Sequence, residues 1–146
     1  MPYVKVWIHL VWSTKNRQPF LKDEIRPTVF QHMRDNAKKK DIFLDFFNGY
    51  REHVHALVSL GTEQTISNIV KLMKGESSHW INQNNLIDLK FEWQHEYFAV
   101  SVCESLLDKT RDYIRNQEAH HSRKGFDDEF ELMLKKYGFQ RFEDAD

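Results

Sequence analysis

The chain is poor in the residues that staple, break or loosen a fold: 1 Cys, 3 Pro and 5 Gly among 146. The lone Cys103 rules out an internal disulfide and a cysteine-only zinc site, and it suits a reducing compartment. With so little Pro and Gly there is no flexible linker to mark a domain boundary, and no internal repeat is present. No apolar stretch approaches the roughly 20 residues that a bilayer span needs. The opening MPYVKVWIHLVW alternates apolar side chains with Lys5 and His9 and does not form the apolar centre of a secretion signal. These absences predict one soluble, cytoplasmic domain over residues 1–146, a length too short for two independent cores.

An excess of charge is missing too. The formal net charge is −1, which argues against a protein that grips duplex DNA by bulk charge. The total hides a gradient: residues 1–40 carry 9 Lys+Arg against 3 Asp+Glu (+6), residues 41–90 carry 4 against 6 (−2), and residues 91–146 carry 8 against 13 (−5). One reading is a solvated helix at Lys38, Lys39 and Lys40 with an acidic tail; the other is an anionic ligand near the basic N-terminal third.

What is present is periodicity. Val4, Val6, Ile8, Leu10 and Trp12 alternate with Tyr3, Lys5, Trp7, His9 and Val11, predicting a strand. Ile25, Val29, Met33 and Ala37 predict a helix from about Asp23 to Lys40, with Pro27 early, where a helix tolerates it. Residues 42–47 form a second predicted strand, with Asn48-Gly49 as the turn into a third at about 53–60. Thr65 is placed to cap a helix carrying Ile66, Ile69, Val70, Met73, Trp80 and Ile81, interrupted at Gly75 and Ser77-Ser78. A strand at about 96–103 follows. Leu106, Thr110, Tyr113, Ile114 and Gln117 share a helical face, HHSRKG is a connector, and Phe130, Met133, Leu134 and Tyr137 mark a last helix. The β-α-β-β-α-β order predicts an α+β, ferredoxin-like (RRM-like) antiparallel sheet with two helices on one face and extra C-terminal helices, 122–146 forming a helical tail. The other face would be open, as in domains that bind single-stranded nucleic acid.

Two spacings can carry chemistry. In His53-Val54-His55 both imidazoles project from one face of a strand, where they can grip one divalent ion. With 8 His in the chain, chance supplies roughly 0.4 such pairs, so two ordinary strand histidines are the favoured reading of this motif alone. Tyr113 and Gln117, four apart on a helix, can converge on one point; the plain alternative is a packed tyrosine and a solvated glutamine. Two His and a neutral amide oxygen would leave an ion's charge uncancelled and suited to polarising a phosphate. A tyrosine beside such a phosphate could attack it and conserve the phosphodiester energy in a phosphotyrosine bond.

These residues stand in a longer pattern. IHLVWSTKNRQPFL, EHVHALVSL, IVKLMKGESS, WQHEYFAVSV and YIRNQEAHH, in this order and spacing over residues 3–121, resemble the single-tyrosine transposases of the IS200/IS605 type, within the HUH (His-hydrophobic-His) endonucleases. The resemblance implies His53, His55 and Gln117 as metal ligands and Tyr113 as the nucleophile. The metal would be Mg²⁺ or Mn²⁺, nitrogen ligands favouring Mn²⁺ and abundance Mg²⁺. It further implies cleavage and rejoining of single-stranded DNA at hairpin-bearing ends through a 5′-phosphotyrosine link. Such enzymes work as homodimers in which the tyrosine helix of one subunit completes the partner's site, and they reside in the cytoplasm, at the nucleoid when bound to DNA.

Lys15, Arg17, Lys74 and Ser78 are the expected DNA contacts, since phosphates want Lys, Arg and hydroxyl donors. Trp12, Trp80 and Trp93 could stack on bases, but core packing is the better reading for each. Arg111 and Arg115 could steady a phosphate or pair with Asp108, Asp112 or Glu118. His120 and His121 are expected to meet DNA or solvent. The alternatives are a domesticated, repeat-associated nuclease with the same chemistry and a noncatalytic ferredoxin-like nucleic-acid binder.

Overall fold

The alternation of residues 7–13 becomes strand β1 (Trp7–Ser13), whose Ile8, Leu10 and Trp12 enter one core and whose Trp7 and Val11 enter two others behind it. The computed structural model of the protein describes residues 1–121, 125–139 and 142. After β1 come α1 (Arg26–Lys39), β2 (Phe43–Gly49), β3 (His53–Ser59), α2 (Ile66–Gln83) and β4 (Phe98–Val102). Three further helices follow, α3 (Leu107–Arg115), α4 (Gln117–His121) and α5 (Phe126–Tyr137). The strands lie in the order β2-β3-β1-β4 with every neighbour antiparallel, the ferredoxin-like arrangement expected from the element order. No helix among the described residues is long and apolar enough to cross a membrane.

The main core lies between the sheet and α1 and α2. Val54, Ala56 and Val58 of β3 meet Val29, Phe30 and Met33 of α1 and Ile69, Val70 and Met73 of α2, all buried. Thr65 caps α2 as its position predicts, accepting the Asn68 N–H. Contrary to expectation, α2 runs unbroken through Gly75, Ser77 and Ser78. Ser77 is buried because a larger residue would not fit under Trp93, whose indole N–H donates to the Ser77 hydroxyl at 2.9 Å, while that hydroxyl donates to the Met73 carbonyl at 2.6 Å. Asn48-Gly49 is not the hairpin turn. Both belong to β2, and the chain reverses over Tyr50, Arg51 and Glu52. Glycine is required at 49 for a different reason: a Cβ there would lie 2.2 Å from the His53 carbonyl oxygen and 2.9 Å from Val54 Cα.

The second face of the sheet is not open. Helix α3 sets Leu107 and Ile114 against Trp7 and Leu57, each burial contributing about 1.5–3 kcal/mol. Helix α5 lays Phe126 and Met133 against Val11. Its first turn is acidic, its last turn basic, and Gly138 ends it in the left-handed conformation (φ 56°). The expected tail is therefore represented by α5, residues 138–139 and 142; residues 122–124, 140–141 and 143–146, including part of HHSRKG, lie outside the described residues.

Candidate active site

Under those C-terminal helices lies a cluster of buried polar side chains. Because Val54, Ala56 and Val58 are committed to the main core, the alternation of β3 turns His53, His55 and Leu57 toward the opposite face. His53 and His55 are both fully buried, with ring centroids 5.0 Å apart. Asn48 donates to the carbonyls of Ile114 and Arg115 at 3.1 Å each, tying the end of α3 to the sheet. Helix α3 gives way to α4 at Asn116, so Gln117 comes round one turn after Tyr113 and donates from Nε2 to the Tyr113 carbonyl at 3.1 Å.

The four residues singled out by the sequence meet here. Gln117 Oε1 lies 3.0 Å from His53 Nε2, and the Tyr113 ring packs edge-on to His55, centroids 5.5 Å apart. Four more residues complete the cluster. The Glu52 carboxylate takes His53 Nδ1 at 2.7 Å, and His9 Nε2 lies 2.9 Å from His55 Nδ1. His121 is buried, its Nε2 3.0 Å from Gln117 Oε1. Glu129 of α5, only 3% exposed, accepts the Tyr113 hydroxyl at 2.5 Å and places an oxygen 2.8 Å from His55 Nε2.

The sequence carried faint signals for these. Gln117 and His121 share the four-residue spacing of Tyr113 and Gln117, so His121 faces the cluster and not DNA or solvent. Glu129 is a carboxylate on the apolar stripe of α5, between Phe126 and Met133. His120 is half-buried, 3.6 Å from Glu129 Oε2.

Burial is the largest influence on the two central imidazoles. It pushes His9 down from 6.5 to about 3 and His55 to about 4, so both are neutral near pH 7. Burial also pushes the Tyr113 phenol above its usual 10, reinforced by the adjacent Glu129 charge. For Glu129 burial acts upward, but the close approach of His121 and His55 to its oxygens outweighs it, holding the carboxyl far below the usual range.

The donor chemistry fits a divalent cation. The Glu52 carboxylate can only accept, so a neutral His53 keeps its proton on Nδ1 and turns a lone pair at Nε2 toward Gln117 Oε1. His55 Nε2 and Glu129 Oε2 are buried without a hydrogen-bond partner among the described residues, although Glu129 lies close to His55 and His121; those contacts are short but off the axis a hydrogen bond needs. Ligand atoms of His53, His55 and Glu129 all fall within 4.8 Å of one another. Acceptors thus outnumber donors around one point, and a cation there would satisfy them.

The expected DNA contacts are scattered. Arg17 is near the cluster, its guanidinium 4.3 Å from the Phe130 ring centroid and 2.6 Å from Asp127. Lys15 pairs with Glu92 at 3.0 Å. Lys74 and Ser78 lie on α2, across the sheet from the histidines, Lys74 donating to the carbonyls of Gln94, His95 and Glu96 and Ser78 to that of Gly75. Trp12 and Trp93 are core residues and Trp80 stacks on His32 at 3.9 Å. Arg111 pairs with Asp45 and Asp108, and Arg115 with Asp112.

Known proteins resemble the chain in sequence and in fold. The chain is 26% identical over 114 residues to the ISDra2 transposase TnpA of Deinococcus radiodurans, spanning 75% of this chain and 81% of that one. It is 25% identical over 115 residues to the transposase for insertion sequence element IS200 of Salmonella typhimurium, spanning 75% and 74%. Among solved structures, a Deinococcus radiodurans chain described as a transposase superposes with a TM-score of 0.65 at 27% identity, over 80% of this chain and 95% of that one. A REP-associated tyrosine transposase bound to a REP hairpin superposes at 0.64 over 83% and 72%, at 18% identity, and so shares the fold. The family described as "Transposase IS200 like" matches residues 2–117. Since that match runs through the histidine pair and the tyrosine helix as far as Gln117, the chain belongs to the IS200-like transposase family.

Proposed function

We propose that the protein is a metal-dependent transposase that cleaves and rejoins single-stranded DNA at hairpin-bearing ends, with Tyr113 as nucleophile. The observation that carries this reading is the convergence of Tyr113, Gln117, His53 and His55 in one buried cluster of a single chain. His53, His55 and Gln117 would hold Mg²⁺ or Mn²⁺, which when bound supplies positive charge to polarise the scissile phosphate. Glu52 and His9 fix the ring orientations of the two histidines from behind.

The raised phenol pKa makes a free phenolate costly, so the Tyr113 proton leaves only as the bond to phosphorus forms, and the hydrogen bond to Glu129 Oε1 holds the hydroxyl in place until then. A bond forms from Tyr113 Oη to phosphorus, the bond from phosphorus to the 3′ oxygen breaks, and the proton lost by the phenol is balanced by one taken up by the leaving 3′ oxygen, so the products are a 5′-phosphotyrosine and a 3′ hydroxyl. Reversal on another end rejoins the strand. A groove between α3 and α5, lined by Lys109, Thr110, Lys136 and Tyr137, opens onto Tyr113 and Glu129 and gives a strand access to the hydroxyl.

The test is a hairpin-bearing oligonucleotide with Mn²⁺ or Mg²⁺. Wild type should form a covalent protein–DNA adduct, Tyr113→Phe should form none, and Tyr113→Phe should still bind the oligonucleotide. An adduct that survives Tyr113→Phe removes the assignment. Binding without any adduct, unaffected by His53→Ala, would leave a noncatalytic binder. The likeness to a REP-associated transposase also favours a repeat-associated nuclease with this same chemistry, separable by whether element ends flank the gene. Two copies would serve two DNA ends as a homodimer, with each site built either within one chain or from the tyrosine helix of the partner.

A further inference from the structure

We propose that Glu129 is itself a metal ligand, so that the C-terminal helix supplies an anionic donor to the histidine pair. The inference rests on the metal-dependent reading above and extends it to a residue beyond the family match, which ends at residue 117. Three observations carry it. Glu129 is an almost fully buried carboxylate on the apolar face of α5, where Phe126 stacks on His53 with centroids 4.3 Å apart. One oxygen reaches His55 Nε2 at 2.8 Å and the other stands 4.0 Å from His53 Nε2, with all three ligand atoms inside one 4.8 Å cluster. Both Glu129 Oε2 and His55 Nε2 are buried without a hydrogen-bond partner among the described residues.

A buried carboxylate persists only where a positive charge or a full set of donors meets it. Tyr113 satisfies one oxygen, and the remaining neighbours are imidazoles that face it off-axis. Two neutral histidines and one carboxylate form a donor set that suits Mn²⁺ and Mg²⁺ better than histidine and amide alone, because hard cations favour anionic oxygen. With two oxygens, the carboxylate can serve the ion and still accept from Tyr113, linking the nucleophile to the metal site.

The experiment is Mn²⁺ binding by calorimetry to the metal-free full chain without DNA. Glu129→Gln keeps the size of the side chain and an acceptor for Tyr113 but removes the charge, and it should weaken Mn²⁺ binding about tenfold or more. Tyr113→Phe, which removes the other partner of Glu129 and no donor, should stay within about twofold of wild type. Glu129→Gln binding as tightly as wild type, while His55→Ala loses the ion, overturns the assignment of Glu129 and leaves the metal reading intact. Wild type that binds no Mn²⁺ overturns both. Should Glu129→Gln fail to fold by circular dichroism, Glu129→Cys with Cys103→Ser provides a second route. Cd²⁺ should then give a thiolate charge-transfer band absent from Cys103→Ser alone, and no band overturns the proposal.

Discussion

His55 enters the cluster with no charge of its own. Desolvation and the neighbouring rings hold it neutral down to about pH 4, and His9 behind it down to about 3, so near neutrality their nitrogens can act as ligand and positioner without first losing a proton. This has a cost in acid. In the unfolded chain both histidines take up a proton near 6.5, while the folded chain refuses it, so the unfolded state binds more protons and stability falls as pH drops from 6.5 toward 4. For His55 alone the loss is about 2 kcal/mol by pH 5, and His9 adds to it. Urea unfolding in EDTA should therefore show a midpoint well below its pH 7.5 value at pH 5, and His9→Gln should reduce that difference. An unchanged midpoint would mean that these rings charge freely in the folded protein.

Elements carry the site through two contacts that local pattern does not encode. Gly49 lets β2 pass close to β3 beside His53, and Asn48 ties down the end of α3 before Gln117. Gly49→Ala should force the strands apart, destabilising the protein by about 1–3 kcal/mol and weakening Mn²⁺ binding as His53 shifts. Thermal unfolding with a Mn²⁺ titration checks both, and a variant matching wild type in each would show that the backbone yields there. The same residues show what was legible in the sequence. Period two placed β1 and β3, and the cap at Thr65 placed α2, because those signals are local. Asn48-Gly49 reads as a turn because turn chemistry and close backbone approach select the same small residues. Ser77 reads as a helix break because nothing local announces Trp93 sixteen residues away. That His53, His55, Tyr113 and Gln117 come together is legible through spacing and resemblance; that Glu129 joins them is not, since it depends on α5 folding back over the sheet.

At the scale of the whole molecule, that folding back bears on charge and on the assembly that the resemblance implies. Part of the basic front is matched by the acidic back across space: Lys5 pairs with Glu104, Lys15 with Glu92, and Arg17 with Asp127. The segment of +6 is thus less of an electrostatic footprint than the chain arithmetic suggests. The family resemblance implies tyrosine helices exchanged between subunits, yet α3 is docked on its own sheet through Leu107 and Ile114, and Gln117 reaches its own His53. Exchange between identical subunits would rebury the same side chains and so gain no contact over docking within one chain, while releasing α3 first exposes Leu107 and Ile114, at about 1.5–3 kcal/mol each. The arrangement within one chain should therefore persist whether the protein is monomeric or paired. Mixing His53→Ala with Tyr113→Phe distinguishes the two geometries, because exchanged helices would build one intact site per mixed dimer, pairing the His53 of one chain with the Tyr113 of the other. Helices kept at home leave every site with one lesion. The mixture, co-refolded to allow subunit exchange, should form no covalent adduct on a hairpin-bearing oligonucleotide; adduct recovered to a sizeable fraction of wild type would show that the tyrosine works in the partner's site.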